Sequence, residues 1–277
     1  MDNRAVGVFD SGLGGLTAVR SIMDILPGQD IVYLGDTARV PYGPRGRDVI
    51  IQYTLEHMAF MARRGVKAMV AACGTMSAIG MDALLERSPV PVLGVVGPSA
   101  ALAVETCANK RIGVISTAAC ADSGAYQARI AALCPEAAVM VRACPLFVPL
   151  VEAGRVHKGD PVIETVASEY LEPLRDAGVD TLLLGCTHYP LIHGIIADFM
   201  GPGVTLVDSG AAVAAALKKH LEDTDALPSP NRRGETRFFV TDSAEQFSKL
   251  GPLFLNARSR GQNTTFGIAD RVDILKD

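Results

Sequence analysis

The chain has 277 residues and a formal net charge of −4. Because nucleic-acid-binding domains are usually basic, this charge argues against a nucleic-acid partner. Hydrophobic residues make up 49% and charged residues 20% of the chain, which excludes a disordered protein and fits a soluble enzyme of two domains.

Targeting signals and cysteine spacing indicate the cellular compartment. The N-terminus lacks the basic and apolar regions of a signal peptide, and no apolar run approaches the ~18 residues of a membrane span. We therefore expect a cytoplasmic protein without a membrane partner. The six cysteines contain no Cys-x-x-Cys pair, so we expect neither a zinc cluster nor a thioredoxin-type site. In a reducing compartment the cysteines are free thiols, and a cysteine can act as a base only in that state.

A glycine-rich turn follows the first predicted strand. Residues 5–10 form an apolar run that ends in Asp10, Ser11 begins the turn Ser-Gly-Leu-Gly-Gly-Leu, and a helical pattern covers 17–25. The spacing matches neither a P-loop nor a dinucleotide fingerprint, so we interpret the turn as a carboxylate site formed by backbone N–H groups. Asp10 and Ser11 could both contact a ligand, although Asp10 could instead only cap the turn.

The next segment combines a shaped loop with a helix. A strand over 31–35 leads into a loop with two prolines, in which Tyr42 and Gly43 could offer a phenol or backbone donor to a substrate. The alternative for this loop is an ordinary turn. Apolar periodicity predicts a helix over 47–64, and we interpret His57 within it as a packed or surface histidine rather than a catalytic one.

Two apolar runs end in a cysteine. Residues 68–77 contain Cys73 directly after a predicted buried strand, and residues 181–190 contain Cys186 after another. A single buried cysteine is usually only a small hydrophobe. Two cysteines in matching strand-end contexts, each near hydroxyl side chains, favour chemistry, because ligands of open α/β sheets bind at the carboxyl ends of the strands.

The order of elements indicates an internal duplication. Residues 110–117 resemble residues 5–11, and in each half a cysteine-ending strand follows at a similar distance. A smaller echo, Asp-Ser-Gly, begins at Asp208. Periodicity also predicts helices over 76–86, 123–133 and 161–177, and a further helix that follows the Asp-Ser-Gly echo and ends at about 221. It predicts strands over 90–95, 138–143 and 237–241.

Two halves that each carry one strand-end thiol would face each other across a cleft. Inversion of a carbon stereocentre needs a base on one face and an acid on the other, and two thiols can exchange these roles. A free thiol titrates near ~8.5, so neighbouring donors must favour the thiolate. Thr75, Thr187 and His188 are candidates, and His188 could polarise or protonate Cys186 unless it is satisfied within its own turn.

Five blocks of the sequence resemble the signature blocks of bacterial glutamate racemases, in order and over nearly the whole chain. The blocks are residues 9–16, 33–43, 73–75, 149–154 and 185–191. The resemblance implies a cofactor-independent racemase, without pyridoxal phosphate or metal, that interconverts L- and D-glutamate and supplies D-glutamate for peptidoglycan. It also implies a homodimer.

The resemblance implies a fold as well. This fold is α/β, with two similar domains of mostly parallel sheets flanked by helices, related by a pseudo-twofold axis, and an active site in the cleft between them. The first domain would comprise 1–98 plus 208–277, and the second, inserted in it, 99–207.

The resemblance also assigns roles to individual residues. Cys73 would remove the α-proton from D-glutamate and Cys186 from L-glutamate, each returning a proton when the other abstracts one. Asp10 and His188 correspond to auxiliary groups that tune the thiols, and Glu152 corresponds to a further acidic position. The implied substrate-binding residues are Asp10, Ser11, Tyr42, Gly43, Gly74, Thr75, Thr187 and His188.

Two positions depart from the family pattern. The family usually has Cys-Asn-Thr where this chain has Cys73-Gly74-Thr75, so a side-chain amide that would hold a substrate carboxylate is missing. Such a hydrogen bond is worth about 1.5 to 3 kcal/mol, or about ten- to hundred-fold in affinity, and water could partly replace it. Cys120 stands where the family more often has threonine.

The missing amide leaves two alternatives open. One is a racemase of another acidic amino acid, such as aspartate, with a pocket reshaped at Gly74. The other is a non-catalytic binding protein of the same fold. A hydrolase that uses one cysteine and His188 is disfavoured, because it leaves the second strand-end thiol without a function.

Overall fold

The computed structural model describes residues 1–256 and 269–276. Its strands are β1 Val6–Asp10, β2 Ile31–Gly35, β3 Ala68–Ala71, β4 Val92–Gly94, β5 Arg111–Ser116, β6 Ala138–Ala143, β7 Thr181–Leu184, β8 Thr205–Asp208, β9 Thr236–Val240 and β10 Asp270–Arg271. They form a six-stranded sheet of order β10-β9-β2-β1-β3-β4 and a four-stranded sheet of order β6-β5-β7-β8. Every strand pair within these residues is parallel. The α/β class with two parallel sheets flanked by helices is therefore confirmed.

Helices follow most of the strands, as parallel strand connections require. They are α1 Leu16–Ile25, α2 Arg47–Arg63, α3 Gly74–Ile79, α4 Met81–Arg87, α5 Val96–Thr106, α6 Ala118–Asp122, α7 Ala125–Leu133, α8 Phe147–Glu152, α9 Pro161–Asp176, α10 His193–Met200, α11 Ser209–Asp223 and α12 Ala244–Asn256, with a 3₁₀ helix at Tyr189–Ile192. Among the described residues, no helix has the length and apolar character needed to cross a membrane.

The chain builds one sheet, then the other, and then returns. Strands β1 to β4 belong to the larger sheet, β5 to β8 form the smaller one, and β9 and β10 complete the larger. After β8, helix α11 packs against α1. The domain limits 1–98 plus 208–277 and 99–207 remain a prediction, and their positions 257–268 and 277 lie outside the described residues.

Strand register brings the predicted site residues to one edge of each sheet. Phe9 of β1 pairs with Ala71 of β3, so the residues that follow these strands emerge side by side. Ile115 of β5 likewise pairs with Leu184 of β7. Strands β1, β2, β3 and β7 are buried along their whole length, which explains why their residues are mostly apolar.

The helix predicted over 76–86 is wrong in one respect: it is two helices, α3 and α4, separated at Gly80. A Cβ atom at Gly80 would lie 2.8 Å from Cγ2 of Thr54, so the chain bends where it packs tightly against α2. The strand predicted over 90–95 is also shorter, at Val92–Gly94, because α5 begins at Val96.

His57 is a packed histidine. Its side chain is buried, its Nδ1 lies 2.7 Å from the Tyr53 carbonyl oxygen, and its ring contacts the rings of Phe9 and Tyr42. Burial lowers its pKa, because the charged form loses its hydration. This arrangement agrees with the interpretation of His57 as structural rather than catalytic.

We predict that Leu217→Ala destabilises the fold strongly. Leu217 is fully buried in a cluster with Leu16 and Val19 of α1, so its truncation should lower the free energy of unfolding by about 2 to 5 kcal/mol. Leu85, which is 61% exposed, provides a matched control, and Leu85→Ala should change stability by less than about 0.5 kcal/mol. Urea unfolding followed by circular dichroism measures both, and equal losses would contradict the assigned core.

Candidate active site

A cavity of about 420 Å³ lies at the carboxyl ends of strands from both sheets. Segments that follow β1, β2, β3, β5 and β7 line it, together with residues before and within α8. Its lining residues are Ser11, Gly12, Val40, Pro41, Tyr42, Gly43, Pro44, Cys73, Gly74, Thr75, Thr117, Ala118, Pro145, Val148, Pro149, Glu152, Gly185, Cys186, Thr187 and His188. Apart from Asp10, every site residue proposed from the sequence is among them.

Cys73 follows β3 and immediately precedes α3. Its side chain is 6% exposed, and its thiol donates a hydrogen bond to the Ser11 hydroxyl at 3.5 Å. Burial and, to a smaller extent, the nearby Asp10 carboxylate raise the pKa of Cys73 to about 11. The backbone N–H groups of Met76 and Thr75 act in the opposite direction, because they favour the thiolate.

Asp10 lies beneath the cavity instead of lining it. Its carboxylate is buried, and Oδ2 accepts a hydrogen bond from the Gly12 backbone N–H at 2.9 Å. Capping of the turn is thus observed. Burial raises the pKa of Asp10, whereas the nearby His188 and backbone N–H groups lower it. Asp10 is therefore both a turn cap and an electrostatic neighbour of Cys73.

Cys186, His188 and Glu152 form a connected series. The Cys186 sulfur lies 3.9 Å from His188 Nδ1, and His188 Nε2 lies 2.9 Å from Glu152 Oε1. When the carboxylate accepts the Nε2 proton, Nδ1 is the basic nitrogen that faces the thiol. Phe254 of α12 contacts the His188 ring edge-on, with ring centres 5.2 Å apart. Burial raises the pKa of Cys186 well above its usual value, and the His188 backbone N–H opposes that shift.

The glycine-rich turn after β1 also has a packing role. Only Ser11 and Gly12 of the turn line the cavity. A Cβ atom at Gly14 would lie 2.0 Å from Thr187 Oγ1 and 2.8 Å from His188 Nδ1, so Gly14 is needed for close packing against the Cys186 loop. The turn therefore supports the neighbouring half of the site.

The Tyr42 phenol is already engaged. Its hydroxyl donates a hydrogen bond to the buried carboxylate of Asp36, which also accepts from Arg39 Nε at 2.5 Å and from the Thr241 hydroxyl at 2.7 Å. Burial and the Asp36 charge raise the pKa of Tyr42. The phenol hydrogen is thus held by Asp36 and is not free for a substrate, which leaves backbone groups of this loop as the candidate donors.

Sequence reasoning missed Thr117 and the apolar side of the cavity. Thr117 directly follows β5, and its hydroxyl lies 2.9 Å from that of Thr75. The similarity of 110–117 to 5–11 was a usable signal, since it makes Thr117 a strand-end residue. Val40, Pro145 and Val148 carry no comparable signal, because their positions depend on how distant loops meet.

The cavity contains little formal charge. Among the described residues, neither lysine nor arginine lines the cavity, and Glu152 is the only carboxylate that does. An anionic ligand would therefore be bound by backbone N–H groups and the hydroxyls of Ser11, Thr75, Thr117 and Thr187. Within the described part of the chain, no group of three or more His, Cys, Asp or Glu residues is arranged to hold a metal ion.

Similarities to known proteins extend over most of the chain. The model of the Asp/Glu/Hydantoin racemase family matches residues 17–217. A glutamate racemase from Geobacter metallireducens is 42% identical over 255 residues, which are 92% of this chain and 94% of that protein.

Solved structures of glutamate racemases are also similar to this chain over most of its length. A glutamate racemase isoform from Bacillus anthracis superposes with a TM-score of 0.92 at 33% identity, covering 99% of each chain. The Francisella tularensis glutamate racemase, solved in complex with D-glutamate, gives a TM-score of 0.89 at 36% identity and also covers 99% of each chain. Sequence, fold and cavity agree, and the chain belongs to the Asp/Glu/Hydantoin racemase family.

Proposed function

We propose that this protein is a glutamate racemase that inverts the α-carbon by proton transfer between Cys73 and Cys186. The observation that carries the proposal is that both strand-end thiols line one cavity, with His188 and Glu152 beside Cys186 and the buried Asp10 near Cys73. The names of the relatives support glutamate as the substrate over aspartate. D-Glutamate made in this way would supply peptidoglycan synthesis, as the sequence resemblance implies.

The reaction is a pair of balanced proton transfers. The thiolate of Cys73 takes the α-proton of D-glutamate, the electron pair of the broken C–H bond stays on the α-carbon, and the thiol of Cys186 donates its proton to the opposite face. Each cysteine ends in the protonation state that the other had at the start. The reverse reaction therefore begins with Cys186 as the base, and no external acid or base is consumed.

The raised pKa of each thiol suits a base of this kind. With a pKa of about 11, Cys73 is ionised in only about one molecule in ten thousand at pH 7, but that thiolate binds a proton strongly. The ammonium group of a bound amino acid would favour the thiolate, since an opposite charge nearby lowers a thiol pKa. Asp10 beside Cys73 and the His188–Glu152 pair beside Cys186 are the groups that can accept the thiol proton.

The carbanion must also be stabilised. Negative charge develops on the α-carbon and spreads into its carboxylate, so donors fixed near that carboxylate lower the barrier. Backbone N–H groups at the starts of the segments after β3 and β7, with the Thr75 and Thr187 hydroxyls, are suitable donors. They need no reorganisation during the reaction, because their positions are set by the strand ends.

We also propose that the protein is cytoplasmic and forms a homodimer. All six cysteines are free thiols, and the reaction needs two of them reduced, which supports a reducing compartment such as the cytoplasm. The homodimer implied by the sequence resemblance remains a prediction.

The first test is racemisation in D₂O. Circular dichroism should show loss of optical activity from either L- or D-glutamate, and mass analysis should find one deuterium at the α-carbon of the product. Exchange with aspartate but not with glutamate would instead support the alternative substrate. Binding of glutamate without any exchange would support a non-catalytic protein.

We predict that Cys73→Ala and Cys186→Ala each abolish racemisation, with a loss of at least about 1,000-fold, because either change removes the acid or base from one face. Cys134→Ala is the matched control, since Cys134 is partly exposed and lies away from the cavity lining. Far-UV circular dichroism should show that all three variants are folded. Near-normal turnover in either active-site variant would refute the two-thiol mechanism.

We predict that Asp10→Asn lowers the pKa of Cys73. The negative charge of Asp10 is one of the causes that raise this pKa to about 11, so its removal should shift the pH dependence of Cys73 alkylation to lower pH. Burial, the larger cause, remains, so the pKa should stay above the ordinary thiol value. Iodoacetamide labelling read by peptide mass spectrometry measures the shift. Asp82→Asn, at an exposed carboxylate of α4, should leave the profile unchanged, and an upward shift in Asp10→Asn would contradict this electrostatic assignment.

A further inference from the structure

Gly74 meets the opposite half of the site through backbone atoms. A Cβ atom built on Gly74 would lie 2.3 Å from the carbonyl oxygen of Gly185, the residue just before Cys186. Real carbon–oxygen contacts of this kind lie above 3.0 Å, and a carbonyl oxygen cannot rotate away as a side chain can. With the backbone of this chain as it stands, a side chain at position 74 would therefore push the two cysteine-bearing segments apart by about 1 Å.

Other contacts cross the cavity near this point. The hydroxyls of Thr75 and Thr117 lie 2.9 Å apart, and the Ala119 backbone N–H donates to the Gly43 carbonyl at 3.2 Å. Each contact joins a segment that follows a strand of the larger sheet to one that follows β5 of the smaller sheet. Separation at Gly74 would strain them too, because they hold the same two faces together.

We infer that Gly74 is a positioning residue that sets the closest approach of the Cys73 and Cys186 segments. This inference rests on the proposed racemase function and concerns the same site. The space that a side chain would occupy is filled by the Gly185 carbonyl, so the glycine does not enlarge the pocket for a different substrate. An asparagine introduced here would have to displace the opposing backbone before its amide could bind a carboxylate.

The kinetic consequence follows from the geometry of two-face proton transfer. Both sulfur atoms must reach the same α-carbon from opposite sides, so a change in their separation affects at least one transfer. A displacement of about 1 Å can lower a rate by about 100-fold. An asparagine at position 74 would thus add a hydrogen-bond donor but would also displace the two sulfur atoms from their positions.

The test compares Gly74→Ala and Gly74→Asn with Gly203→Ala and Gly203→Asn. Gly203 has open space where a Cβ atom would be added and lies away from the cavity lining, so it controls for the substitution itself. Alanine adds only the Cβ atom, which keeps the test valid if the asparagine variant fails to fold. We expect kcat/KM for glutamate to fall by about 100-fold in both Gly74 variants and to stay unchanged in both Gly203 variants.

Thiol labelling tests the separation without using activity. Cys73 and Cys186 are each 6% exposed, whereas Cys134 is partly exposed and serves as an internal reference in the same molecule. Both Gly74 variants should increase iodoacetamide labelling of Cys73 and Cys186 relative to Cys134. The Gly203 variants should leave these ratios unchanged.

Two results would overturn the inference. A higher kcat/KM in Gly74→Asn with unchanged kcat/KM in Gly74→Ala would show that a missing amide, rather than backbone contact, governs this position. Unchanged kinetics and labelling in both variants would show that the contact does not limit the approach of the two segments. An unsubstituted protein that does not racemise glutamate would contradict the proposed function instead, and the labelling ratios would still decide whether Gly74 sets the separation.

Discussion

Close backbone approach across the cavity is the constraint on which the site depends. The Cys73 segment meets the Cys186 segment where Gly74 lies against the Gly185 carbonyl, and the turn after β1 meets the same region where Gly14 lies against Thr187. Both approaches are possible only because a Cβ atom is absent at each point. The glycines near this cavity are thus explained by packing between the two sheets at least as much as by ligand binding.

Two thiols are buried in a cavity that no lysine or arginine of residues 1–256 and 269–276 lines, and this sets the electrostatic character of the site. Desolvation raises the pKa of both cysteines, and backbone N–H groups supply the main opposing effect within the protein. The side chains near each thiol differ between the two halves of the site. Cys73 has a buried carboxylate nearby, whereas Cys186 has an imidazole that contacts a second carboxylate. The scaffold is similar in the two halves, but the chemistry around each thiol is not.

Much of this arrangement could be predicted from the sequence, and the exceptions share one cause. Cys73 and Cys186 were predictable because each follows a short apolar strand, and the carboxyl ends of parallel strands meet at one edge. The close contact at Gly74 was not predictable, because its partner, the Gly185 carbonyl, is distant in sequence and has no side-chain signal. The break at Gly80 was missed for the same reason, since it depends on Thr54 of another helix. Local patterns thus predict elements and strand ends, whereas contacts between elements require the three-dimensional structure.

The burial of the two cysteines also affects their chemical durability. Oxidants such as peroxide react with thiolates far faster than with thiols, and they must reach the sulfur atom. Cys73 and Cys186 are almost inaccessible, and burial raises the pKa of both, which disfavours the thiolate. The burial that raises the pKa of each cysteine thus also protects its sulfur atom from oxidation to sulfenic acid.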